Sequence, residues 1–216
     1  MPIDLYYMPA SSPCRAVIMT AKHLNIDLNL KQLNMMEKEH LKPEFVKLNP
    51  QHCIPTLVDN GFSLWESRAI MQYLVNQYAP GHSLYPEDAK KRATVDRLLQ
   101  FDLGSLYSAV GQYFYPQVFM NKPADPEKEQ QLKDKLALLD SFLAGNKYVA
   151  GDTLTLADLS ILASVTTIGG FGYDIGAYPN INAWISRLQK ELPYYDETTT
   201  EPVKQFKAFI DAKRSQ

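Results

Sequence analysis

Cysteine is scarce: Cys14 and Cys53 are the only two in 216 residues. Two thiols 39 positions apart make neither a disulfide framework nor a zinc-ligand spacing, so no metal is expected. Apolar runs are short, and none approaches the ~20 residues that a membrane-spanning helix needs. The start, Met1-Pro2-Ile3-Asp4, lacks the basic and apolar segments of a secretory signal. The end, Lys213-Arg214-Ser215-Gln216, is neither a prenylation box nor a peroxisomal address. The expected location is therefore the cytosol. Charge imbalance is also lacking. The net charge of −2 gives no global field towards nucleic acid or an anionic membrane. The basic run Lys90-Lys91-Arg92 reads as a solvated helix start. What is present is ordinary for a globular chain: 45% hydrophobic residues, enough to build a sizeable core without covalent or metallic staples.

Two kinds of pattern divide the chain. Ile3-Asp4-Leu5-Tyr6-Tyr7 reads as a strand, followed by a turn at Pro9 to Pro13 and a helix carrying Val17, Ile18, Ala21 and Leu24. Pro13 suits a first helical turn, where its missing N–H costs nothing. A second strand is expected over 28–33, so the chain opens strand–helix–strand, a parallel pair with a crossover helix. A short helix is expected from Leu41 to Leu48, and a turn-rich link from Asn49 to Pro55. Asn60-Gly61 between two apolar runs predicts a hairpin of 56–59 with 62–65. A helix from about Glu66 to Tyr78 completes an α/β unit over residues 1–80. Residues 81–88, with Gly81 and Pro86, read as a linker. Beyond it strand signals vanish and helical periods run over 90–119, 126–144, 155–168, 180–191 and 201–212, so residues 89–216 are expected to be all-helical. Pro116 is expected to kink or split the first of these helices. Thr155 and Asp158, with Leu154 before them, predict a capping box at a buried helix start.

In an α/β sheet, ligands gather at loops beyond the carboxyl ends of strands. Four segments meet that description: the 8–14 turn, the 34–40 loop, the 49–55 link and the helix start at Glu66-Ser67-Arg68. A polar cleft flanked by two helix N-termini favours anions.

Four motifs occur in order: Tyr6-Tyr7-Met8-Pro9-Ala10-Ser11-Ser12-Pro13-Cys14-Arg15, Asn49-Pro50-Gln51-His52-Cys53-Ile54-Pro55-Thr56-Leu57, Leu64-Trp65-Glu66-Ser67-Arg68-Ala69-Ile70, and Leu154-Thr155-Leu156-Ala157-Asp158. Across essentially the whole chain they resemble the cytosolic glutathione transferases, most of all the insect delta class, with epsilon and theta as neighbours. The resemblance implies a thioredoxin-like N-terminal domain followed by an all-helical one, and a homodimer. It implies glutathione as co-substrate and conjugation of its thiolate to small hydrophobic electrophiles, a detoxification chemistry. Dehydrochlorinase or peroxidase activity is possible on the same site. Two alternatives stay open: a non-enzymatic carrier of hydrophobic ligands and a glutathione-dependent isomerase.

The same resemblance assigns roles. Ser11 holds the sulfur as thiolate, with Tyr7 and Ser12 as rivals. Ile54, before an expected cis Pro55 and beside Cys53, presents its backbone to the cysteinyl part. Glu66 and Ser67 take the γ-glutamyl amine and carboxylate. Arg68 either adds charge there or forms a salt bridge between subunits or at the surface. His52 and His40 face the glycyl carboxylate, and Asp102 reaches the ligand of a partner subunit. Met8, Pro13, Met35, Tyr107, Tyr113, Phe119 and Phe206 (or Phe209) are the candidates for the electrophile pocket. Cys14 is expected to be a buried thiol.

Overall fold

The computed structural model describes residues 3–214, so the readings made at Met1-Pro2 and Ser215-Gln216 lie outside it. Strand β1 (Ile3–Tyr7) alternates buried Ile3 and Leu5 with half-buried Asp4 and Tyr6. It pairs in parallel with β2 (Leu28–Gln32) through helix α1 (Ser12–His23). After a short α2 (Pro43–Val46), strands β3 (Thr56–Asp59) and β4 (Phe62–Trp65) form the hairpin that Asn60-Gly61 predicts. Both turn residues have positive φ (48° and 85°), as a two-residue turn with the right twist demands. The sheet order is β2-β1-β3-β4, with β3 antiparallel to β1. At its outer edge Leu30 is exposed, as on a strand with one free side. Helix α3 (Ser67–Tyr78) closes this layer.

The second layer is helical: α4 (Ala89–Phe101), α5 (Ser108–Phe119), α6 (Pro126–Leu143), α7 (Leu156–Gly170), α8 (Pro179–Glu191) and α9 (Glu201–Arg214). Its axis is α7, buried at every position but Thr166 and Gly169. Such a helix has no polar face to give to solvent and must lie inside. Helix α1 is nearly as enclosed and packs against both α3 and α7, so it joins the layers.

The expected capping box at α7 is built. The Thr155 N–H and hydroxyl donate to Asp158 Oδ2 at 2.9 and 3.0 Å. The Val149 N–H and Trp184 Nε1 donate to Oδ1 at 2.9 and 3.1 Å. Burial pushes the Asp158 carboxyl up to about 6, against the pull of its donors. Leu154 packs at the core margin as a staple should.

Pro116 does not split its helix. Helix α5 runs through it to Phe119. So close to a helix end a missing N–H disturbs little of the remaining ladder. The change of pitch comes earlier, as a π-turn at Asp102–Tyr107. A second π-turn, Asp196–Thr200, leads into α9.

Candidate functional site

The start of α1 is where β1 delivers the chain. Ser11 is the N-cap, with β-region backbone, and its Oγ accepts from the Cys14 N–H at 3.5 Å. That long bond leaves the hydroxyl proton free for another partner, while first-turn N–H groups and the helix dipole favour an anion beside it. The rivals are placed differently. Ser12 is buried, and Tyr7 packs against the core with its carbonyl accepting from Leu33. Cys14 is wholly enclosed, and burial pushes its thiol up to about 11. A thiol in that state is a poor nucleophile.

The 49–55 link is held by a residue that the motif reading did not single out. Asn49 is fully buried. Its Nδ2 donates to Thr56 Oγ1 at 2.8 Å and to the Cys53 carbonyl at 3.1 Å, and its Oδ1 accepts from the Gln51 N–H at 2.9 Å. The Ile54–Pro55 bond is cis. His52 adopts positive φ (43°) on the exposed side of this loop, and its ring lies 6.2 Å from that of His40. Two histidines 12 positions apart are thus brought together. His40 Nδ1 is buried without a hydrogen-bond partner.

At the start of α3, Glu66 has φ 69° and ψ 102°, an unfavourable conformation for a side-chained residue, and makes no side-chain cap. The first N–H groups of α3 therefore have no capping side chain, and the exposed Glu66 carboxylate stands beside them. Ser67 is buried, and its Oγ accepts from Arg68 Nη1 at 3.1 Å. Arg68 Nη2 donates to Asp102 Oδ2 at 2.5 Å, and Ser160 Oγ donates to the same oxygen at 2.5 Å. The Arg68–Asp102 pair is buried within the chain and is not a surface bridge. Asp102, at the head of the π-turn, has no exposed surface within the chain. Arg68 Nε and Asp102 Oδ1 are buried without partners.

A second buried cation, Arg15, ties α1 to α7. It donates to the Ala163 carbonyl at 2.6 Å and to the hydroxyls of Thr167 and Thr166 at 2.5 and 3.1 Å. Burial draws it down to about 10, so it stays charged at neutral pH.

Beyond the polar pocket lies an aromatic face. The Tyr107 ring sits 5.6 Å from the Arg68 guanidinium, and its hydroxyl meets that of Tyr115 at 3.2 Å. Tyr115 continues to Phe119 (5.8 Å) and Phe171 (6.2 Å), and Phe171 to Phe206 (5.0 Å). Gly170 makes room for Phe206: a Cβ there would lie 2.7 Å from the ring. Tyr113 does not belong to this face. It is buried against Phe114 and Tyr173 at 4.7 and 5.9 Å, because its position on α5 points into the helical core. Phe209 is exposed on α9. Met8 and Met35 are half-buried on loops, and Pro13 is half-buried in the first turn of α1. Tyr115 joins the face without having been singled out in the sequence, and Phe171 behind it is a core residue stacked on Phe114 at 4.4 Å. The i, i+4 spacing of Tyr115 and Phe119 was the available signal. Among the described residues no cluster of His, Cys, Asp and Glu is placed to hold a metal ion.

Comparison with known proteins agrees with this architecture. Residues 1–76 match the family model "Glutathione S-transferase, N-terminal domain", and residues 69–191 match "Glutathione S-transferase, C-terminal domain". A Nilaparvata lugens delta-class glutathione transferase superposes with a TM-score of 0.95 at 50% identity, covering 98% of this chain and 100% of that one. A housefly (Musca domestica) epsilon-class enzyme gives 0.91 at 40% identity over 98% of each chain. A glutathione transferase homologue from Drosophila mojavensis, solved with bound glutathione, gives 0.91 at 36% identity over 98% and 97%. With a thioredoxin-like layer, a helical layer and both family domains matched in order, this chain belongs to the glutathione transferase family and is similar above all to its insect delta class.

Proposed function

We propose that Ser11 donates its hydroxyl to the glutathione sulfur and holds it as the thiolate that attacks small hydrophobic electrophiles. The observation that carries this reading is the placement of Ser11 at the α1 N-terminus, half-buried, with its proton uncommitted. Ile54 offers its backbone beside the cis bond to the cysteinyl part, in the manner of an added strand. Cys53 and Pro55 shape that edge. Glu66 takes the γ-glutamyl amine, and Ser67 with the first N–H groups of α3 takes the carboxylate. Arg68 and Asp102 orient Ser67 from behind, and His40 and His52 face the glycyl carboxylate. Met8, Pro13, Met35, Tyr107, Phe119 and Phe206 receive the electrophile. The glutathione-binding unit is residues 1–80, the linker 81–88, and the helical unit 89–216 carries the electrophile face.

Conjugation of glutathione to a chloronitrobenzene tests the reaction. His52→Ala is expected to raise KM for glutathione about tenfold with kcat little changed, since one hydrogen bond to a carboxylate contributes about 1.5 kcal/mol. Unaltered KM would remove His52 from the site. A homodimer is supported by apolar surface at Phe62 on the hairpin and at Leu103 beside Asp102, both exposed. Sedimentation should give about twice the chain mass of 24.5 kDa, and the single-chain mass would refute it. No helix among the described residues is long and apolar enough to cross a membrane. The free thiols Cys14 and Cys53 and the need for a reduced thiol co-substrate support the cytosol.

A further inference from the structure

Two of the four histidines, His23 and His82, have no place in the proposed reaction. His23 ends α1 and His82 lies in the linker. Both are half-buried, and their rings meet edge-on at 5.8 Å. His82 Nδ1 accepts from the Leu84 N–H at 3.2 Å. A backbone N–H can only donate, so this Nδ1 carries a lone pair and the ring proton sits on Nε2. His23 Nδ1 lies 2.8 Å from the hydroxyl of buried Tyr194. Burial raises that phenol far above its ordinary range, so it keeps its proton. Among the described residues His23 is its one hydrogen-bond partner. A buried hydroxyl that left its proton unspent would be costly, so Tyr194 donates and His23 Nδ1 also carries a lone pair. Each bond secures a different element. Tyr194 lies between α8 and the second π-turn, on the approach to α9. Leu84 is fully buried, and its carbonyl accepts from the N–H of Leu156, the first residue of α7, at 2.9 Å. Two imidazole lone pairs thus tie the end of α1 to the linker, the start of α7 and the approach to α9.

We propose that His23 and His82 form a proton-sensitive clasp, closed while both rings are neutral and opened at the 82–84 linker by acid. A proton on His82 Nδ1 turns an acceptor into a donor that faces the Leu84 N–H. The bond breaks and a buried N–H is left unpaired. A proton on His23 Nδ1 takes away the acceptor of the Tyr194 hydroxyl. Burial first, and then charge on His82, lowers the His23 imidazole below its ordinary value. The unfolded chain therefore binds this proton at a higher pH than the folded one. The contribution of the clasp is complete above the ordinary histidine value of about 6.5 and is lost as pH falls below it. The surrounding charges do not offset this. Lys22, beside His23 on α1, is a cation paired with Glu197 at 2.8 Å. Asp96 and Arg92 are both engaged with Tyr85. Glu87 is exposed on the linker, its carboxylate 3.7 Å from where a Cβ on Gly81 would lie. The carbonyls that end α1 are already taken by the N–H groups of Leu24, Asn25 and Ile26. Asp158, at the α7 start, responds in the opposite sense: burial raises its carboxyl to about 6, so acid relieves it.

Two measurements test the clasp. Histidine ring nitrogen-15 shifts of the wild type at pH 7.5 should show both Nδ1 atoms as unprotonated acceptors. A proton on either Nδ1 at that pH overturns the proposal. Amide exchange, corrected for intrinsic rates, then compares pH 7.5 with pH 5. In wild type the protection of Leu84 and Leu156 should fall about tenfold or more, as expected for the loss of one buried hydrogen bond. His82→Asn separates the proton from the bond. An asparagine side chain accepts from the backbone N–H two residues on, so it rebuilds the Leu84 bond with a group that does not titrate. Protection of both amides in His82→Asn should then differ by less than about threefold between the two pH values. His23→Asn keeps an acceptor towards Tyr194 and should remove part of the acid loss. Equal loss in wild type and His82→Asn overturns the clasp and places the acid sensitivity elsewhere. Should His82→Asn fold poorly, wild type alone decides, since Leu84 protection unchanged at pH 5 overturns the proposal.

Discussion

Ser11→Ala should cut kcat/KM for conjugation about 10- to 100-fold at pH 7 and move the rising limb of the pH–rate profile upward. An ordinary thiol ionises near 8.5, and sites of this kind lower that value by about two units. Two units correspond to about 2.7 kcal/mol in favour of the thiolate. One charge-assisted hydrogen bond together with a helix N-terminus can supply this. The sign follows directly. Wild type with a thiol near 6.5 is mostly ionised at pH 7, whereas a variant that lost the full two units would hold only about 3% thiolate there, and the helix N-terminus that Ser11→Ala retains places the variant between these limits. The deficit therefore narrows as pH rises through 8.5 and both proteins reach full ionisation. The more basic thiolate of the variant is intrinsically more nucleophilic, which offsets part of the loss and sets the lower bound. Glutathione affinity, carried by the two carboxylate subsites, should change by less than about threefold, since uniform binding is untouched. A limb that stays near 6.5 in Ser11→Ala would transfer the role to Tyr7 or Ser12. The burial of Ser12 and the packing of Tyr7 against the core both weigh against that outcome.

The second large effect belongs to Asp102. Asp102→Ala leaves the Arg68 guanidinium enclosed with no counter-charge and removes the acceptor of Ser160. Breaking a buried pair from one side typically costs about 3–5 kcal/mol. For a chain of this length that corresponds to a fall in Tm of roughly 6–20 °C. The site should suffer as well. Arg68 also donates to Ser67, so its release loosens the α3 start and should raise KM for glutathione more than it lowers kcat. Arg68→Met combined with Asp102→Leu removes both charges and should be less destabilised than Asp102→Ala alone, because no unpaired charge remains. Urea unfolding of the three variants checks the order. A loss below about 1 kcal/mol in Asp102→Ala would mean that the pair is solvated in solution.

Local chemistry made much of the fold legible. A β-branched or apolar residue at every second position, an Asn-Gly turn and a proline in a first helical turn each act within a few residues. So β1, the 56–65 hairpin and α1 could be read directly, and Thr155 with Asp158 announced the α7 cap. The candidate site was legible where a motif sits on one loop: Ser11, the Ile54–Pro55 bond and the Glu66-Ser67 helix start. Asn49 escaped notice because an asparagine next to a proline looks like any turn residue until its side chain is seen threading three partners.

What the sequence by itself determined was the two-layer plan and the polar loops at one end of the sheet. Both follow from periodicity and from backbone preferences that need no distant partner. What only the tertiary structure decided was direction. The π-turn at 102–107 swings Asp102 into the interior and onto Arg68. The rotation of α5 sends Tyr113 into the core and Tyr115 out beside Tyr107. Gly170 lets a ring from α9 lie on α7. Each of these depends on how far a helix has turned by the time it meets another element. A residue or two of altered pitch redirects a side chain without leaving a mark in composition or spacing.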